Sequence, residues 1–345
     1  MKTLLALDSF KGCLSAAEAV DAAASALQGQ QTVRFPLSDG GEGFTECVVT
    51  ALGGRFRTVT VHDPLGRPVQ ARYGLVQDGR IAVIETAAAS GLCTLLPSEL
   101  DPWNASSKGT GELMRDAVEQ GARTLWVGLG GTAVMDAGAG LLDAFPAMPE
   151  GVSLHAFHDV DVPLTGPSGA AAVFGPQKGA DERMVGLLEG RFCETADRWK
   201  MQYGVDADAI PGAGAAGGIG AALAICLGAR MHAGISSVLE MTGFRKHLEG
   251  CGLVITGEGK ADRQTLAGKV PFGVLETVRK HAPQVPVVLI AGKVEDRGAL
   301  LAAGFDAVIQ ITPPDELMER AMEKTVAVAN LRQAVQGLPY FGNQH

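Results

Sequence analysis

The chain opens with the sequence KTLLALDSFKGCLSAAEAV (residues 2–20), in which an apolar run precedes a polar turn and an Ala-rich segment. The run 3–7 is shorter than the roughly 7–15 apolar residues of a secretory signal, and it predicts a buried strand instead. Ser15 and Glu18 have the spacing of a capping box, which predicts a helix over 16–27. A strand, a loop and a helix in this order are the unit of a parallel α/β layer.

The same unit recurs at both ends of the chain. The pattern predicts strands at 32–37, 253–256, 285–291 and 307–311, loops at 38–43 and 257–265, and helices at 44–52 and 270–281. Between 57 and 85, alternating apolar residues and turn signals predict antiparallel strands, and a longer helix is expected over 181–202. We therefore expect an α/β fold in which a doubly wound, Rossmann-like parallel-sheet domain (1–57 and 244–345) carries an inserted second α/β domain (58–243).

The bulk composition excludes several classes of protein. Of 345 residues, 46% are hydrophobic and 19% charged, which excludes a disordered chain. The net charge of −9 argues against a nucleic-acid or anionic-membrane partner. The six cysteines show no C-x-x-C spacing, so we expect no disulfide framework and a cytoplasmic location. The uncharged stretch 210–229 is rich in glycine and predicts a loop entering a tightly packed helix rather than a membrane span. The oligomeric state does not follow from the sequence.

Glycine is in excess, with 46 residues, and many of these lie in short loops. A further strand is predicted at 124–127. Three loops follow predicted strands, at 39–43, 128–133 and 257–259, and two more lie at 109–112 and 212–217. Glycine lets backbone N–H groups approach an anion, and strand ends are where ligands bind in open α/β sheets. Five such loops in one chain favour a phosphate-rich ligand.

Familiar phosphate and hydrolase motifs do not account for these loops. The sequence contains no G-x-x-x-x-G-K-[ST], H-R-D, D-F-G, G-x-S-x-G or H-E-x-x-H. A dinucleotide fingerprint can be aligned at 128–133 and at 212–217, but the first has no acidic strand end at the required distance and the second has no strand before it. His155, His158 and Asp159 are interpreted as a partly exposed polar strand edge in preference to a metal site.

Charged residues accompany the loops of the inferred parallel sheet. Along the chain, Asp8 is followed by Lys11, Asp39 by Glu42, and Glu258 by Lys260, Asp262 and Lys269. Phosphoryl transfer requires lysines near the γ-phosphate, carboxylates for Mg²⁺ and a base for the attacking hydroxyl. Because strand ends of one sheet share an edge, these charges are expected to form one site.

The chain also resembles the bacterial glycerate kinase family, whose two-domain fold is unrelated to P-loop and protein kinases. The matching strings, in family order from residue 8 to about residue 275, are DSFKG (8–12), DGGEG (39–43), ETAAASGL (85–92), GTGEL (109–113), GLGGTA (128–133), FGPQKGA (174–180), PGAGAAGG (211–218), TGEG (256–259), Asp262, QTL (264–266) and GKVP (268–271). The resemblance implies ATP-dependent, Mg²⁺-requiring phosphorylation of D-glycerate to phosphoglycerate, favouring the 2-hydroxyl and feeding central carbon metabolism. It also implies a cleft between the two domains as the active site.

The resemblance and the charges together predict individual roles. Lys11, Asp39, Asp262 and Lys269 are the expected catalytic residues, and Asp39 and Asp262 are expected to hold Mg²⁺ or to act as the base. The expected substrate- and nucleotide-binding residues are Asp8, Ser9, Gly40, Gly41, Glu42, Gly128, Gly130, Gly131, Thr132, Gly212, Gly214, Gly217, Gly257 and Glu258.

The chain departs from the family pattern at two asparagines. Met135 and Val162 stand where members usually carry Asn, and the segment between residues 145 and 155 is shorter than usual. These changes leave two alternatives open. The protein could be a kinase of another small hydroxy acid, or a nucleotide- or metabolite-binding relative that has lost catalysis.

Overall fold

A computed structural model describes residues 1–10 and 12–341 of the chain. The chain divides into two compact units. The terminal unit comprises residues 1–39 together with the chain from 235 onward, and the central unit comprises residues 40–234. Lys11, one of the predicted catalytic residues, lies outside the described residues.

The described residues form eleven strands and thirteen α-helices. The strands are β1 (Lys2–Leu7), β2 (Gln31–Arg34), β3 (Gly54–His62), β4 (Pro68–Val76), β5 (Ile81–Glu85), β6 (Thr124–Leu129), β7 (Ser153–His158), β8 (Arg230–Ala233), β9 (Cys251–Ala261), β10 (Val287–Val294) and β11 (Ala307–Gln310). The helices are α1 (Ala16–Ser25), α2 (Phe44–Leu52), α3 (Ala87–Ser90), α4 (Lys108–Glu119), α5 (Ala139–Ala144), α6 (Ala170–Phe174), α7 (Glu182–Tyr203), α8 (Ile219–Leu227), α9 (Gly234–Met241), α10 (Val270–His281), α11 (Arg297–Ala302), α12 (Met318–Ala321) and α13 (Lys324–Gln336).

The terminal unit contains a five-stranded sheet in the order β11-β10-β9-β1-β2, with every neighbouring pair parallel. Helices α1 and α13 pack on one face, where Leu5, Ile255 and Val288 belong to their apolar cluster. The alternate strand residues, such as Leu4 and Val254, belong to the other face of the sheet and are also buried. On that side α10 contacts β1, β9 and β10. The predicted doubly wound parallel sheet is confirmed. Its order reverses between β1 and β9, which places the topological switch point there.

The first helix begins where the sequence predicted it. The Ser15 hydroxyl accepts a hydrogen bond from the Glu18 backbone N–H at 3.3 Å, and the Glu18 carboxylate accepts one from the Ser15 N–H at 2.9 Å. Both backbone N–H groups would otherwise be unpaired at the helix N-terminus. The capping box is therefore confirmed, and it aligns α1 to return the chain from β1 to β2.

The central unit contains a six-stranded sheet in the order β3-β4-β5-β6-β7-β8. Strands β3, β4 and β5 are antiparallel neighbours, whereas β5 to β8 pair in parallel. At the β3–β4 turn the buried Asp63 carboxylate accepts hydrogen bonds from the N–H groups of Leu65 and Arg67, both at 2.9 Å. The predicted antiparallel strands and inserted α/β domain are thus present.

The first boundary between the units differs from the expected one at 57/58. The structure places it at 39/40, so that α2 belongs to the central unit. The reason is a long-range cap: the Glu85 carboxylate, at the end of β5, accepts hydrogen bonds from the N–H groups of Gly43 at 3.2 Å and Thr45 at 2.7 Å. The sequence pattern placed α2 in the same domain as β2, because the helix follows that strand directly in the chain.

The second boundary lies at 234/235 instead of 243/244. Helix α9 belongs to the terminal unit because Ile235 packs against α10, where Gly273 provides room for its side chain. The glycine-rich stretch 210–229 forms a loop, a short 3₁₀ segment (Ala215–Gly218) and α8, as predicted. Among residues 1–10 and 12–341, no helix has the combined length and apolarity needed to cross a membrane. The six cysteines are free thiols.

Candidate active site

The switch point of the terminal unit brings together predicted residues from both ends of the chain. Asp8 follows β1, and its backbone N–H donates to the Gly257 carbonyl oxygen of β9 at 2.9 Å. The Asp8 carboxylate accepts a hydrogen bond from the Ser9 N–H at 2.6 Å. Three predicted binding residues, Asp8, Ser9 and Gly257, therefore meet where β1 ends beside β9.

The expected polar loop at 257–265 is instead a continuation of β9 to Ala261. Backbone pairing with β10 extends as far as Ala261 opposite Val294, which gives this polar stretch the partner strand that an extended backbone requires. The sequence pattern missed the extension because Gly, Glu and Lys are typical of turns. As a result, Glu258 and Lys260 belong to the C-terminal part of the middle strand of the sheet.

Glu258 is buried and unites three parts of the predicted site. Its Oε1 accepts a hydrogen bond from the Thr265 hydroxyl at 2.6 Å, and its Oε2 lies 3.6 Å from Lys269 Nζ. Burial raises the pKa of the Glu258 carboxyl, although the Thr265 hydrogen bond and the charge of Lys269 act in the opposite direction. Lys269 is the residue that precedes α10, so a cation and a helix N-terminus adjoin this carboxylate.

Asp262 lies beside Glu258 and is held in a different electrostatic environment. Its carboxylate accepts a hydrogen bond from the Gln264 N–H at 2.8 Å and lies 3.3 Å from Lys260 Nζ. Desolvation opposes ionisation, but these two partners hold the pKa of Asp262 below its ordinary value. The Thr265 hydroxyl accepts from the Asp262 backbone N–H at 3.0 Å, so one threonine links the Glu258 carboxylate to the backbone of Asp262.

Two charged residues at the carboxyl ends of β9 and β10 were missed by sequence reasoning. Lys293 lies opposite Lys260 in the β9–β10 register, and Glu295 forms ion pairs with both lysines at 2.8 and 3.0 Å. The sequence pattern ended the predicted strand at residue 291. Strand pairing supplies the only signal that places Lys293 beside Lys260.

Asp39 and Glu42 are placed differently from the other predicted charges. Asp39 is half-buried in the terminal unit, whereas Glu42 is exposed in the central unit. Neither forms a hydrogen bond or an ion pair with another described residue. The described residues also contain no group of three or more His, Cys, Asp or Glu side chains that could hold a metal ion. A preformed carboxylate cluster for Mg²⁺ is therefore not present in this part of the chain.

In the central unit, two of the predicted glycine loops pack against each other. A Cβ atom at Gly128 would lie 2.6 Å from the Gly40 carbonyl oxygen, and one at Gly130 would lie 2.8 Å from the Gly41 Cα. Each distance is too short for a side chain. The buried Thr86 hydroxyl donates to the Gly128 carbonyl oxygen at 3.0 Å and so holds the end of β6 in place. Four predicted binding residues are thus neighbours.

The glycines at 212, 214 and 217 are buried, and close packing accounts for them. A Cβ atom at Gly212 would lie 2.6 Å from the His158 ring, and one at Gly217 would lie 2.0 Å from the Val134 carbonyl oxygen. The Gly214 N–H donates to the Val162 carbonyl oxygen at 2.8 Å. This loop therefore supports the end of β7, and its ligand-binding role stays a prediction.

His158 differs from the expected exposed strand edge. Strand β7 lies inside the sheet, between β6 and β8, and His158 is 2% exposed. Its Nδ1 lies 2.9 Å from the Val160 carbonyl oxygen, which requires a proton on that nitrogen. The sequence pattern could not show that the parallel sheet continues beyond β7.

Met135 and Val162, the two departures from the family pattern, do not present altered polar groups. Met135 is 0% exposed and belongs to an apolar cluster with Leu164, Phe192 and Trp199. Val162 is half-buried, and its backbone carbonyl, which any residue supplies, accepts the Gly214 hydrogen bond. The structure thus assigns Met135 to packing.

Comparison with known proteins agrees with this architecture along almost the whole chain. A family model described as the glycerate kinase family matches residues 3–149 and 145–338. A glycerate 2-kinase of Escherichia coli (strain K12) is 40% identical over 347 residues, covering 90% of each chain. A glycerate kinase of Bacillus subtilis (strain 168) is 39% identical and covers 94% of this chain and 93% of the relative.

The similarity extends to three-dimensional structure. A crystal structure described as that of a candidate glycerate kinase 2 from Salmonella typhimurium LT2 has a TM-score of 0.82 and 36% sequence identity. The match covers 97% of this chain and 96% of that chain. The sequence match, the fold and the charged switch point agree. The chain therefore belongs to the glycerate kinase family and is a kinase.

Proposed function

We propose that this kinase transfers the γ-phosphoryl group of ATP to the 2-hydroxyl of D-glycerate, forming 2-phosphoglycerate and ADP. The bond between the γ-phosphorus and the β,γ-bridging oxygen breaks, a bond from phosphorus to the glycerate oxygen forms, and the hydroxyl proton leaves to a base. The observation that carries this proposal is the group of charged side chains at the carboxyl ends of β1 and β9, in a chain that belongs to this family along its length.

The charges of the terminal unit suit phosphoryl transfer. The transition state spreads negative charge over the phosphoryl oxygens, so catalysis depends on positioned cations. Lys269 is positioned by Glu258 and by the start of α10, and it would neutralise part of this charge. Lys11 follows β1 in sequence and is proposed for the same role.

Asp262 is the strongest candidate for a carboxylate that stays ionised at neutral pH, because its pKa lies below the ordinary value. Its oxygen donors and those of Asp39 fit Mg²⁺, which binds proteins through one or two carboxylates and takes its other ligands from phosphate and water. Bound Mg²⁺ would supply charge compensation for the transferring phosphate. Asp39 makes no hydrogen bond with another described residue, so its oxygens are also free to accept the hydroxyl proton.

In the central unit, the candidates for ligand contact are backbone groups. The loops at 128–131 and 212–218 are proposed to hold the nucleotide phosphates or the carboxylate of glycerate. Among these residues Gly131 is exposed, whereas Gly212, Gly214 and Gly217 are buried. The first loop is therefore the better candidate for direct contact.

Neither alternative function gains an observation in its favour. Both rest on the loss of Asn at 135 and 162, and the structure places Met135 in the apolar core and uses Val162 through its backbone. D-Glycerate therefore remains the preferred acceptor.

The test is an ADP-release assay with ATP, Mg²⁺ and a panel of hydroxy acids: D-glycerate, L-glycerate, glycolate and D-lactate. We expect ADP release with D-glycerate, and phosphorus NMR should show the 2-phosphate ester. If another acid is phosphorylated and D-glycerate is not, the protein is a kinase of another hydroxy acid. If nucleotide binds but no acid is phosphorylated, the protein is a binding relative that has lost catalysis.

Paired variants test the assignment of the site. Replacing Lys269 by Met should lower kcat by about two orders of magnitude or more, as for other groups that stabilise transition-state charge. The matched control is Lys200→Met, because Lys200 forms only an exposed ion pair with Asp206. Equal activity of the two variants would exclude Lys269 from the site.

A further inference from the structure

Lys178 is a charged side chain in the interior of the central unit. It ends the 3₁₀ segment Pro176–Lys178 and is 3% exposed. Its Nζ donates hydrogen bonds to the Thr132 hydroxyl at 3.1 Å and to the Val134 carbonyl oxygen at 2.9 Å. Among the described residues, no carboxylate lies within ion-pair distance of this ammonium group.

Such a cation is costly to bury. An ammonium group loses its hydration, and two neutral oxygens compensate only in part. Burial accordingly lowers the pKa of Lys178 to about 7, with the more distant charge of Asp136 acting in the opposite direction. The Asp136 carboxylate is itself engaged, since it accepts hydrogen bonds at 2.8 Å from both the N–H and the hydroxyl of Ser107.

The loop that Lys178 contacts has unused hydrogen-bond donors. The N–H groups of Gly131 and Thr132 make no hydrogen bond within the described part of the chain. The Thr132 hydroxyl accepts from Lys178 and donates to no described atom, so its proton is available. Gly131 is exposed, so a ligand can reach its backbone.

We propose that Lys178 and the segment 130–132 form an oxyanion site, in which the buried ammonium charge is compensated by a carboxylate or phosphoryl oxygen bound at the Gly131 and Thr132 donors. This inference rests on the proposed function, which supplies both kinds of oxyanion, from the hydroxy acid and from the nucleotide. Lys178 acts through Thr132 and is a positioning residue. Sequence reasoning missed it because a lysine in a Gly-rich string predicts a solvated loop.

The first experiment separates this role from a structural one. Lys178→Met removes the charge while keeping an unbranched apolar side chain of similar length. Without ligands we expect a melting temperature equal to or above that of the wild type, because an uncompensated buried charge is gone. Binding of an oxyanion should nevertheless weaken by about 10- to 100-fold, because the bound anion loses the attraction of a nearby buried positive charge. Lys200→Met is the control and should change neither quantity.

Three probes distinguish the source of the oxyanion. Titration calorimetry with D-glycerate, ATP and inorganic phosphate measures each affinity for the wild type and for Lys178→Met. Selective loss of D-glycerate binding assigns the site to a carboxylate, and selective loss of ATP and phosphate binding assigns it to a phosphoryl group. Unchanged affinity for all three probes overturns the proposal.

Proton uptake provides a second measurement. A group with a pKa near 7 is mostly neutral at pH 8, and an anion beside it favours the ammonium form. Binding at pH 8 should therefore take up most of one proton in the wild type and none at this site in Lys178→Met, measured by calorimetry in buffers of different ionisation enthalpy. The charged group that acts on Lys178 is Asp136, which both proteins retain.

If Lys178→Met fails to fold, Thr132→Val decides instead, because it removes the bridging hydroxyl and retains the lysine. Weaker oxyanion binding in that variant supports the site, and unchanged binding overturns it. Failure of the proposed function would look different: wild-type protein would not phosphorylate D-glycerate, while the dependence of oxyanion binding on Lys178 would remain.

Discussion

Replacing Met135 by Asn, the residue usual in the family, tests whether this position is core or ligand contact. Met135 is 0% exposed in an apolar cluster with Leu164, Phe192 and Trp199. Truncating a buried Met costs about 2–5 kcal/mol, and an amide without partners adds about 1–3 kcal/mol. Because the Asn side chain refills part of the volume, we expect a loss of about 3–5 kcal/mol in the free energy of unfolding. That is a large share of the roughly 5–15 kcal/mol that holds a typical protein folded.

Urea unfolding followed by circular dichroism measures this loss, and kcat/KM for D-glycerate is measured in parallel on the folded fraction. The control is Met201→Asn on α7, where the native side chain is 82% exposed and the expected change is below about 0.5 kcal/mol. The reasoning is refuted if Met135→Asn is as stable as the wild type and its kcat/KM for D-glycerate rises. That result would mean that residue 135 reaches the substrate.

Three further perturbations test particular contacts. Thr86→Val removes the hydroxyl that holds the Gly128 carbonyl oxygen, and it should cost about 1–2 kcal/mol of unfolding free energy in urea titrations. Ser15→Ala removes the capping box of α1 and should cost about 0.5–2 kcal/mol by the same measurement, whereas an unchanged midpoint would argue against the cap. The third perturbation concerns Glu258, whose pKa is raised in the folded state. The folded chain therefore binds more protons than the unfolded chain from about pH 4.5 upward, and this group makes stability fall as pH rises through that window. Glu258→Gln should flatten this decline in thermal melts recorded from about pH 4.5 upward, and an identical pH profile would contradict the assignment.

Much of the fold follows from short-range signals. The apolar run 3–7, the Ser15 cap and the repeated order of strand, loop and helix indicate a parallel α/β layer, because each depends only on residues within one turn or one strand. The predictions fail where a distant partner decides. Helix α2 belongs to the central unit through the hydrogen bonds that Glu85 accepts, and β9 continues to Ala261 because β10 lies beside it.

The same distinction between local signals and distant partners applies to the candidate site. The sequence places Asp8, Glu258, Asp262 and Lys269 at strand ends, since order along the chain and strand polarity suffice for that. It does not show that the Thr265 hydroxyl donates to the Glu258 carboxylate at 2.6 Å and accepts from the Asp262 backbone N–H at 3.0 Å. Such a contact depends on side-chain geometry to a fraction of an ångström, which no spacing rule contains.

The sequence by itself therefore determined the fold class, the glycine loops and the family, because local patterns and ordered motifs carry that information. Only the tertiary structure decided which groups are desolvated. Met135 is core and Lys178 is a buried cation because chain segments distant in sequence close around them. Since removal from water sets the energy of a charge or a polar group, the properties of these side chains exist only in the folded chain.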